Sequence, residues 1–140
     1  MKIKDIMSRT IASVTPEDTV IQAAQLMKKY NVGSIPVCSD EKVIGIITDR
    51  DIALKAVANG SNLAVLSVSE IMTTNPILGN PEMDVNEAGK IMGENQIRRL
   101  PIVEKNKLVG IISLGDIAVE PILQDEAGGI LSEVSESLRP

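Results

Sequence analysis

The sequence contains no histidine, no tryptophan and no phenylalanine, and it has one cysteine and one tyrosine. Histidine titrates near neutral pH without help and is the commonest metal ligand, so its absence argues against a histidine-based active site and against most zinc centres. Tyr30 alone cannot form the aromatic platform on which single-stranded nucleic acids are usually stacked. The one thiol, Cys38, lies in an apolar run, so we expect a buried structural cysteine and no disulfide within the chain.

Long hydrophobic runs and an excess of positive charge are also missing. No apolar stretch approaches the roughly 18 to 20 residues that a membrane span needs, and the first residues, MKIKDIM, lack the apolar core of a signal peptide. The formal net charge of -5 disfavours binding to a nucleic-acid backbone. We therefore predict a cytoplasmic protein with neither a membrane nor a nucleic-acid partner.

The chain contains an internal duplication. The tripeptide DIM at residues 5–7 returns as EIM at residues 70–72, and the same offset aligns the rest of the two copies without a gap. In 140 residues that are 44% hydrophobic, two such small copies are expected to share one core. We predict a first repeat at 1–60, a second repeat at 61–120 and a C-terminal tail at 121–140.

Both repeats show the same order of local signals. An extended segment, at 10–14 or 76–80, precedes a helix, and two β-rich runs and a second helix follow. The residue pairs typical of a helix start are Thr19 with Gln22 and Asp84 with Glu87. The β-rich runs, which are typical of hairpins, are 34–38 with 42–48 and 99–103 with 107–113. The predicted fold class is α+β, built from two β-α-β-β-α repeats with a short helix at each DIM or EIM motif.

The tail allows two interpretations. Ile130, Val134 and Leu138 are spaced to line one face of a short helix. Such a segment is either a frayed terminus or a helix that docks against a partner subunit.

A hydroxyl residue and an aspartate three positions apart follow the last β-rich run of each repeat, as Thr48 with Asp51 and as Ser113 with Asp116. This spacing is typical of a helix cap, in which the hydroxyl accepts a backbone N–H and the carboxylate lies near the positive helix end. A carboxylate placed there can also accept both hydroxyls of a ribose, while the helix start favours a phosphate. The two roles are compatible.

Together these features resemble the paired cystathionine-β-synthase (CBS) domain, or Bateman module, over about residues 1 to 120. The resemblance is carried by the two gapless copies, the DIM and EIM motifs, Pro36 and Pro101, and the G-h-h-[ST]-x-x-D segments at 45–51 and 110–116. The stretches TDRDIA and QIRRLPIV are especially similar to stand-alone bacterial and archaeal members, which have no enzyme domain attached. The resemblance implies two repeats packed sheet to sheet about a pseudo-twofold axis, with two clefts that commonly hold adenine nucleotides or other adenosyl compounds.

The resemblance also implies site residues. In nucleotide-binding members the matching aspartate binds ribose and the matching hydroxyl binds ribose or phosphate, which assigns these roles to Thr48, Asp51, Ser113 and Asp116. The candidates for binding phosphate, whose alternative is a solvated charge or an ion pair with Asp49, are Arg50, Arg98 and Arg99. The candidates for an adenine slot, whose alternative is core packing, are Ile11, Ala12, Ser34, Ile35, Pro36, Ile77, Leu78, Leu100 and Pro101.

The two sites are not expected to be equivalent. The first repeat has Gly33 and Ser34 where the second has Arg98 and Arg99, and the second repeat has Gly115 in place of an arginine. We predict one site that prefers a charged nucleotide and one that is weaker or empty.

The predicted function is a regulatory module that senses AMP, ADP, ATP or another adenosyl ligand. It needs no cofactor beyond this ligand, has no catalytic residue and no metal site, forms a homodimer and acts on an unidentified regulated protein. One rival is an enzyme, for which the chain offers no histidine and only a buried thiol. The other rival is a CBS-fold interaction or dimerisation module that binds no nucleotide.

Overall fold

The computed structural model of the chain describes residues 1–120 and 124–136, with side chains in the last segment from residue 127 onward. The α-helices are α1 (Val20–Tyr30), α2 (Asp49–Asp51), α3 (Val85–Asn95), α4 (Leu114–Ala118) and α5 (Gln124–Glu136). The strands are β1 (Ser34–Ser39), β2 (Lys42–Thr48), β3 (Thr73–Thr74), β4 (Arg99–Glu104) and β5 (Lys107–Ser113). Helix α2 continues without a break into a π-helical turn at Ile52–Val57, and 3-10 turns lie at Ile3–Asp5 and Val68–Glu70.

The predicted hairpins are confirmed. Strand β1 pairs antiparallel with β2, and β4 pairs antiparallel with β5. The first turn is made by Asp40 and Glu41 and the second by Lys105 and Asn106, all with left-handed φ angles between 51° and 67°. Two consecutive left-handed residues give the turn twist that matches a two-residue hairpin. The short β3 extends the first sheet on the far side of β2, so β2 lies between β1 and β3.

The extended segments predicted at 10–14 and 76–80 each pair with the sheet through a single parallel bridge, Val14 with Val37 and Gly79 with Ile102. Val14 donates its N–H to the Pro36 carbonyl (3.1 Å) and accepts from the Cys38 N–H (2.8 Å). The next bond of such a ladder would run from the N–H of residue 36 to the carbonyl of residue 12, and proline has no N–H. Gly79 makes the same pair of bonds beside Pro101, so the ladder stops for the same reason in the second repeat.

The predicted helix starts are confirmed. Thr19 caps α1 by accepting the Gln22 N–H, and the Gln22 side chain accepts the Thr19 N–H in return. Asp84 caps α3 through the Asn86 N–H at 2.8 Å. Each cap satisfies a backbone donor that has no partner within the helix.

The chain forms two compact units, and the segment that leads each sequence repeat belongs to the unit of the other repeat. We call these two leading segments the exchanged segments. We call Ala12–Pro76 the first-repeat unit, and Met1–Ile11 with Ile77–Pro140 the second-repeat unit. The DIM motif of the first repeat therefore belongs with the second, and the EIM motif of the second belongs with the first. The boundaries predicted for the sequence repeats stay a prediction, since the compact units are spatial and the repeats are defined by sequence alignment.

Equivalent hydrogen bonds fix the exchanged segments. In the second-repeat unit, the Ile3 N–H donates to the Met83 carbonyl at 2.9 Å. At the aligned positions of the first-repeat unit, the Val68 N–H donates to the Asp18 carbonyl at 2.8 Å. The duplication is thus preserved in the hydrogen bonds as well as in the sequence.

The apolar interior of the described residues forms two clusters, one in each unit. The first-repeat cluster gathers buried side chains of α1, β1, β2 and the π-helical turn together with Val68 and Ile71 from the exchanged segment. The second-repeat cluster gathers those of α3, β4, β5 and α4 together with Ile3 and Met7. The exchanged segments supply core side chains, which helps a unit of this size to bury enough apolar surface.

The C-terminal segment forms helix α5, which packs on α3 and α4 of its own unit. Ala127, Ile130 and Val134 are buried in the second-repeat cluster. Gly89 of α3 permits this contact, because a Cβ atom there would lie 2.7 Å from Ile130 Cδ1. Leu138, the third residue of the predicted face, lies outside the described residues.

Candidate functional site

The junction between β2 and α2 is built around Thr48 and Asp51. The Thr48 N–H donates to Asp51 Oδ2 at 3.0 Å, and the Asp51 N–H donates to Thr48 Oγ1 at 3.0 Å. The Asp49 N–H donates to the Gly33 carbonyl at 2.9 Å, which ties the start of α2 to the residue before β1. Asp51 is only 9% exposed, so its carboxylate is held in one place beside the end of the sheet.

The junction between β5 and α4 has the same construction. The Ser113 N–H donates to Asp116 Oδ2 at 2.8 Å, and the Asp116 N–H donates to Ser113 Oγ at 3.1 Å. The Leu114 N–H donates to the Arg98 carbonyl at 2.9 Å. The capping interpretation is therefore confirmed at both positions, and ribose binding, which this geometry permits, stays a prediction.

Lys55 distinguishes the two junctions, and we did not identify it from the sequence. Its Nζ lies 3.0 Å from Asp51 Oδ1 and 3.3 Å from the Ile71 carbonyl oxygen. Both oxygens of the Asp51 carboxylate therefore have a partner. The residue aligned with Lys55 is Glu120, and among the described residues Asp116 Oδ1 has no donor. An acid and a lysine four residues apart on a helix often form an ion pair, and this spacing is the sequence signal that could have indicated Lys55.

Backbone groups are left open beside both junctions. Because Pro36 and Pro101 end the parallel ladders, the carbonyls of Ala12 and Ile77 have no strand partner. Within residues 1–120 and 124–136, neither the N–H nor the carbonyl of these two residues is hydrogen-bonded to the protein. A residue whose N–H and carbonyl are both free offers a ligand one donor and one acceptor.

The three arginines lie around the junctions without a charge partner in the described part of the chain. Arg50 is exposed in α2, Arg98 is exposed before β4, and Arg99 is half-buried at the start of β4. Asp49 accepts the backbone N–H of Arg50 at 2.8 Å and forms no ion pair with its guanidinium. The arginines remain candidates for phosphate, and solvated surface charge remains the alternative.

The predicted adenine-slot residues divide by burial. Ile35 and Leu100 are fully buried within the core clusters, and Pro36 and Pro101 are buried beside them. The half-buried or exposed candidates are Ile11, Ala12, Ser34, Leu78 and Ile77, the last with 37% exposure. The pairing of Ser34 with Thr48 and of Arg99 with Ser113 places the starts of β1 and β4 directly beside the junctions.

Cys38 is a half-buried thiol in β1. Burial raises its pKa, and a hydrogen bond with Ser13 partly opposes that shift. A raised pKa reduces the thiolate fraction at neutral pH, which is the reactive form of a cysteine. This environment is typical of a structural cysteine.

Neither a metal cluster nor a membrane-spanning helix is found where the structure describes the chain. No three histidine, cysteine, aspartate or glutamate side chains of residues 1–120 and 124–136 are grouped so that they would hold a metal ion. No helix in these residues is both long enough and apolar enough to cross a bilayer.

Comparisons with known proteins identify the family. The CBS domain model matches residues 3–57 and 68–128. The CBS domain-containing protein YhcV of Bacillus subtilis is 46% identical over 133 residues, which are 95% of this chain and 94% of the relative. Hypoxic response protein 1 of Mycobacterium tuberculosis is 32% identical over 116 residues, covering 82% of this chain and 81% of the relative.

A solved structure gives the same result. The CBS domain pair of protein MJ0100, in complex with methylthioadenosine and S-adenosyl-L-methionine, superimposes with a TM-score of 0.76 at 30% identity, covering 84% of this chain and 93% of that chain. The relative YhcV, which this chain matches over 94% of its length, is itself a CBS domain-containing protein. The chain therefore belongs to the CBS-domain family, and its two matched segments form a CBS domain pair.

Proposed function

We propose that this CBS domain pair is a regulatory module that binds an adenosyl compound, an adenine nucleotide in particular, at its two strand–helix junctions. The observation that carries the proposal is the repeated arrangement of a fixed carboxylate at the helix start and, on the other side of the adjacent strand, a residue whose backbone N–H and carbonyl are free. Asp51 with Ala12 forms this arrangement in the first-repeat unit, and Asp116 with Ile77 forms it in the second.

The carboxylate accounts for the sugar. Two neighbouring ribose hydroxyls are donors at a fixed spacing, and one carboxylate can accept from both of them. Thr48 and Ser113 orient the two carboxylates through their backbone N–H groups. A carboxylate that is already held in place loses little freedom when the ligand binds, which favours affinity.

The open backbone accounts for the base. The edge of adenine presents an amino donor beside a ring-nitrogen acceptor, and a free carbonyl beside a free N–H is complementary to this pattern. Ala12 and Ile77 offer such groups, so the edge of the base can be recognised without an aromatic side chain. Apolar neighbours such as Leu78 and Ile11 would then cover the faces of the base.

The distance between the two features suits a nucleoside. Strand β1 lies between the segment at Ala12 and the end of β2 at Thr48, because β1 pairs with both. Two strand spacings separate the outer segments by about 10 Å. Adenine placed at Ala12 would therefore bring its ribose toward Asp51, across the start of β1.

Several finer features belong to the same proposal. The chain acts by binding and not by catalysis, in the cytoplasm, and it passes the ligand signal to a protein partner that we do not identify. We also propose a homodimer, for which the exposed apolar side chains of Leu54 and Val57 on the π-helical turn offer surface.

The arginines at 50, 98 and 99 would add affinity for phosphate. A related CBS pair that holds two adenosyl compounds supports the ligand class.

The proposal predicts stabilisation of the folded protein by an adenosyl ligand. A ligand at a hundredfold excess over its dissociation constant adds about 2.7 kcal/mol per site, or roughly 9 °C in Tm for a chain of this length. The measurement is a thermal-shift screen with AMP, ADP, ATP, NAD and S-adenosylmethionine. Asp116→Ala and Asp51→Ala should each reduce the ligand-induced shift, because each removes one ribose acceptor.

Each variant is compared with its own ligand-free form, since losing a capping aspartate also lowers stability by about 1 kcal/mol. Glu17→Ala is the matched control, because it removes the same charge from an exposed residue of the first-repeat unit. If none of the five compounds raises Tm, the ligand proposal is wrong and an interaction module without nucleotide binding takes its place. Equal ligand shifts in the native protein and both aspartate variants would place the ligand elsewhere.

A further inference from the structure

Lys55 occupies the carboxylate oxygen that a ribose would need in the first-repeat unit. Its Nζ lies 3.0 Å from Asp51 Oδ1, and the other oxygen already accepts the Thr48 N–H. The Asp51 side chain is 11% exposed and that of Lys55 is 49% exposed, so the lysine is the more solvent-accessible member of the pair. A ligand approaching Asp51 therefore meets an oxygen that already has a charged donor.

A second contact holds the lysine in this position. The Lys55 ammonium also donates to the Ile71 carbonyl at 3.3 Å, which links the helical turn after α2 to the exchanged EIM segment. An exposed pair four residues apart on a helix is weak, but a donor with two fixed acceptors loses less freedom when it binds either of them. Ribose binding at Asp51 has to displace this donor or share its acceptor.

The second-repeat unit has no equivalent donor. The aligned residue is Glu120, which lies beyond the end of α4 and carries the opposite charge. Among the described residues Asp116 Oδ1 has no hydrogen-bond donor, and Asp116 is half-buried rather than buried. The two carboxylates thus differ in whether one oxygen is ready for a ligand.

We propose that Lys55 is a selectivity residue that competes with the ribose for Asp51, so that a neutral nucleoside binds first at Asp116. This inference rests on the proposed function and adds the residue that makes its two sites unequal. It also connects occupancy to structure, because a ribose that displaces Lys55 from Asp51 leaves its bond to the Ile71 carbonyl as the remaining contact of the ammonium.

The test uses adenosine as the probe, since it has the ribose and the base without a phosphate. Isothermal titration of the full chain carrying Asp116→Ala isolates the first-repeat site, and the same variant with Lys55→Met removes the competitor. We expect the added Lys55→Met substitution to tighten adenosine binding about fivefold. The gain should be smaller for AMP, because the loss of a positive charge opposes phosphate binding.

Two companion variants separate competition from a structural effect. Asp116→Ala with Lys55→Arg keeps a charged donor and should bind adenosine as Asp116→Ala alone does. Asp116→Ala with Lys28→Met removes the same charge from an exposed position of α1 and should also leave the affinity unchanged. Circular dichroism of each variant checks that it is folded.

The outcomes distinguish the two claims. Unchanged or weaker adenosine binding in the Lys55→Met variant, while the native chain binds adenosine in a manner that depends on Asp116, overturns the role of Lys55 alone. Absence of adenosine binding to the native chain and to the Lys55→Met variant overturns this inference, and the proposed function falls with it only if none of the five compounds of the thermal-shift screen binds either.

Discussion

Replacing Gly45 by valine is expected to lower the free energy of unfolding by about 3 kcal/mol, or roughly 10 °C in Tm. A Cβ atom on Gly45 would lie 2.8 Å from the Thr73 carbonyl oxygen and 2.9 Å from Met72 Sδ. The first of these atoms is backbone in β3 and cannot move without breaking its pairing with β2. Urea denaturation of the native chain and Gly45→Val measures the difference.

The equivalent glycine of the second repeat provides a graded comparison. A Cβ atom on Gly110 would lie 2.5 Å from Met7 Sδ, which ends a flexible side chain, and 3.1 Å from the Ser8 carbonyl oxygen. Gly110→Ala should therefore cost less than Gly45→Ala. Gly128→Ala is the control, since no atom lies within 4 Å of its Cβ position, and it should stabilise α5 by about 0.5 to 1 kcal/mol. Unchanged stability of Gly45→Val would contradict the close packing of Met72 and Thr73 against Gly45.

Replacing Ile130 by alanine is expected to cost about 2 to 4 kcal/mol, the range typical of a buried aliphatic side chain. Ile130 is 6% exposed and packs against α3 at Gly89. Leu131 is its matched control, because it is the next residue of α5 and is 42% exposed. Leu131→Ala should change stability by less than about 0.5 kcal/mol.

The two variants are compared by urea denaturation of the full chain. Equal and small effects would mean that α5 contributes no core contact, as a frayed terminus would. A large effect for Ile130 alone supports a helix that belongs to the second-repeat unit.

Local sequence patterns were sufficient to predict those features of the fold that depend on interactions between residues close together in the chain. Thr48 with Asp51 and Ser113 with Asp116 form the expected caps because a hydroxyl and a carboxylate three residues apart satisfy one another's backbone donors. The hairpins follow in the same way from alternating β-rich runs around short polar turns. The CBS family was recognisable because the same motifs occur twice at one spacing.

Features that depend on contacts between distant residues were not predicted. Pro36 was visible in the sequence, but its effect on the segment at 10–14 depends on a parallel register that no local pattern specifies. The exchange of the leading segments likewise depends on bonds such as that between Ile3 and Met83. Sequence periodicity predicted the apolar face of α5, whereas its packing site depends on Gly89 of another helix.

The candidate site was only partly accessible from the sequence for a similar reason. The carboxylates Asp51 and Asp116 could be named because they belong to a motif. The competing donor Lys55 and the open carbonyls of Ala12 and Ile77 emerge only when side chains and hydrogen bonds are placed. These are the features that make the two junctions different from one another and from a simple helix cap.

The most direct test of the account is a crystal structure of the native chain soaked with the adenosyl compound that gives the largest thermal shift. The account predicts ribose hydroxyls hydrogen-bonded to the Asp116 carboxylate and the adenine edge paired with the backbone of Ile77. A ligand bound away from both Asp51 and Asp116, or one that leaves their carboxylates without contact, would contradict it.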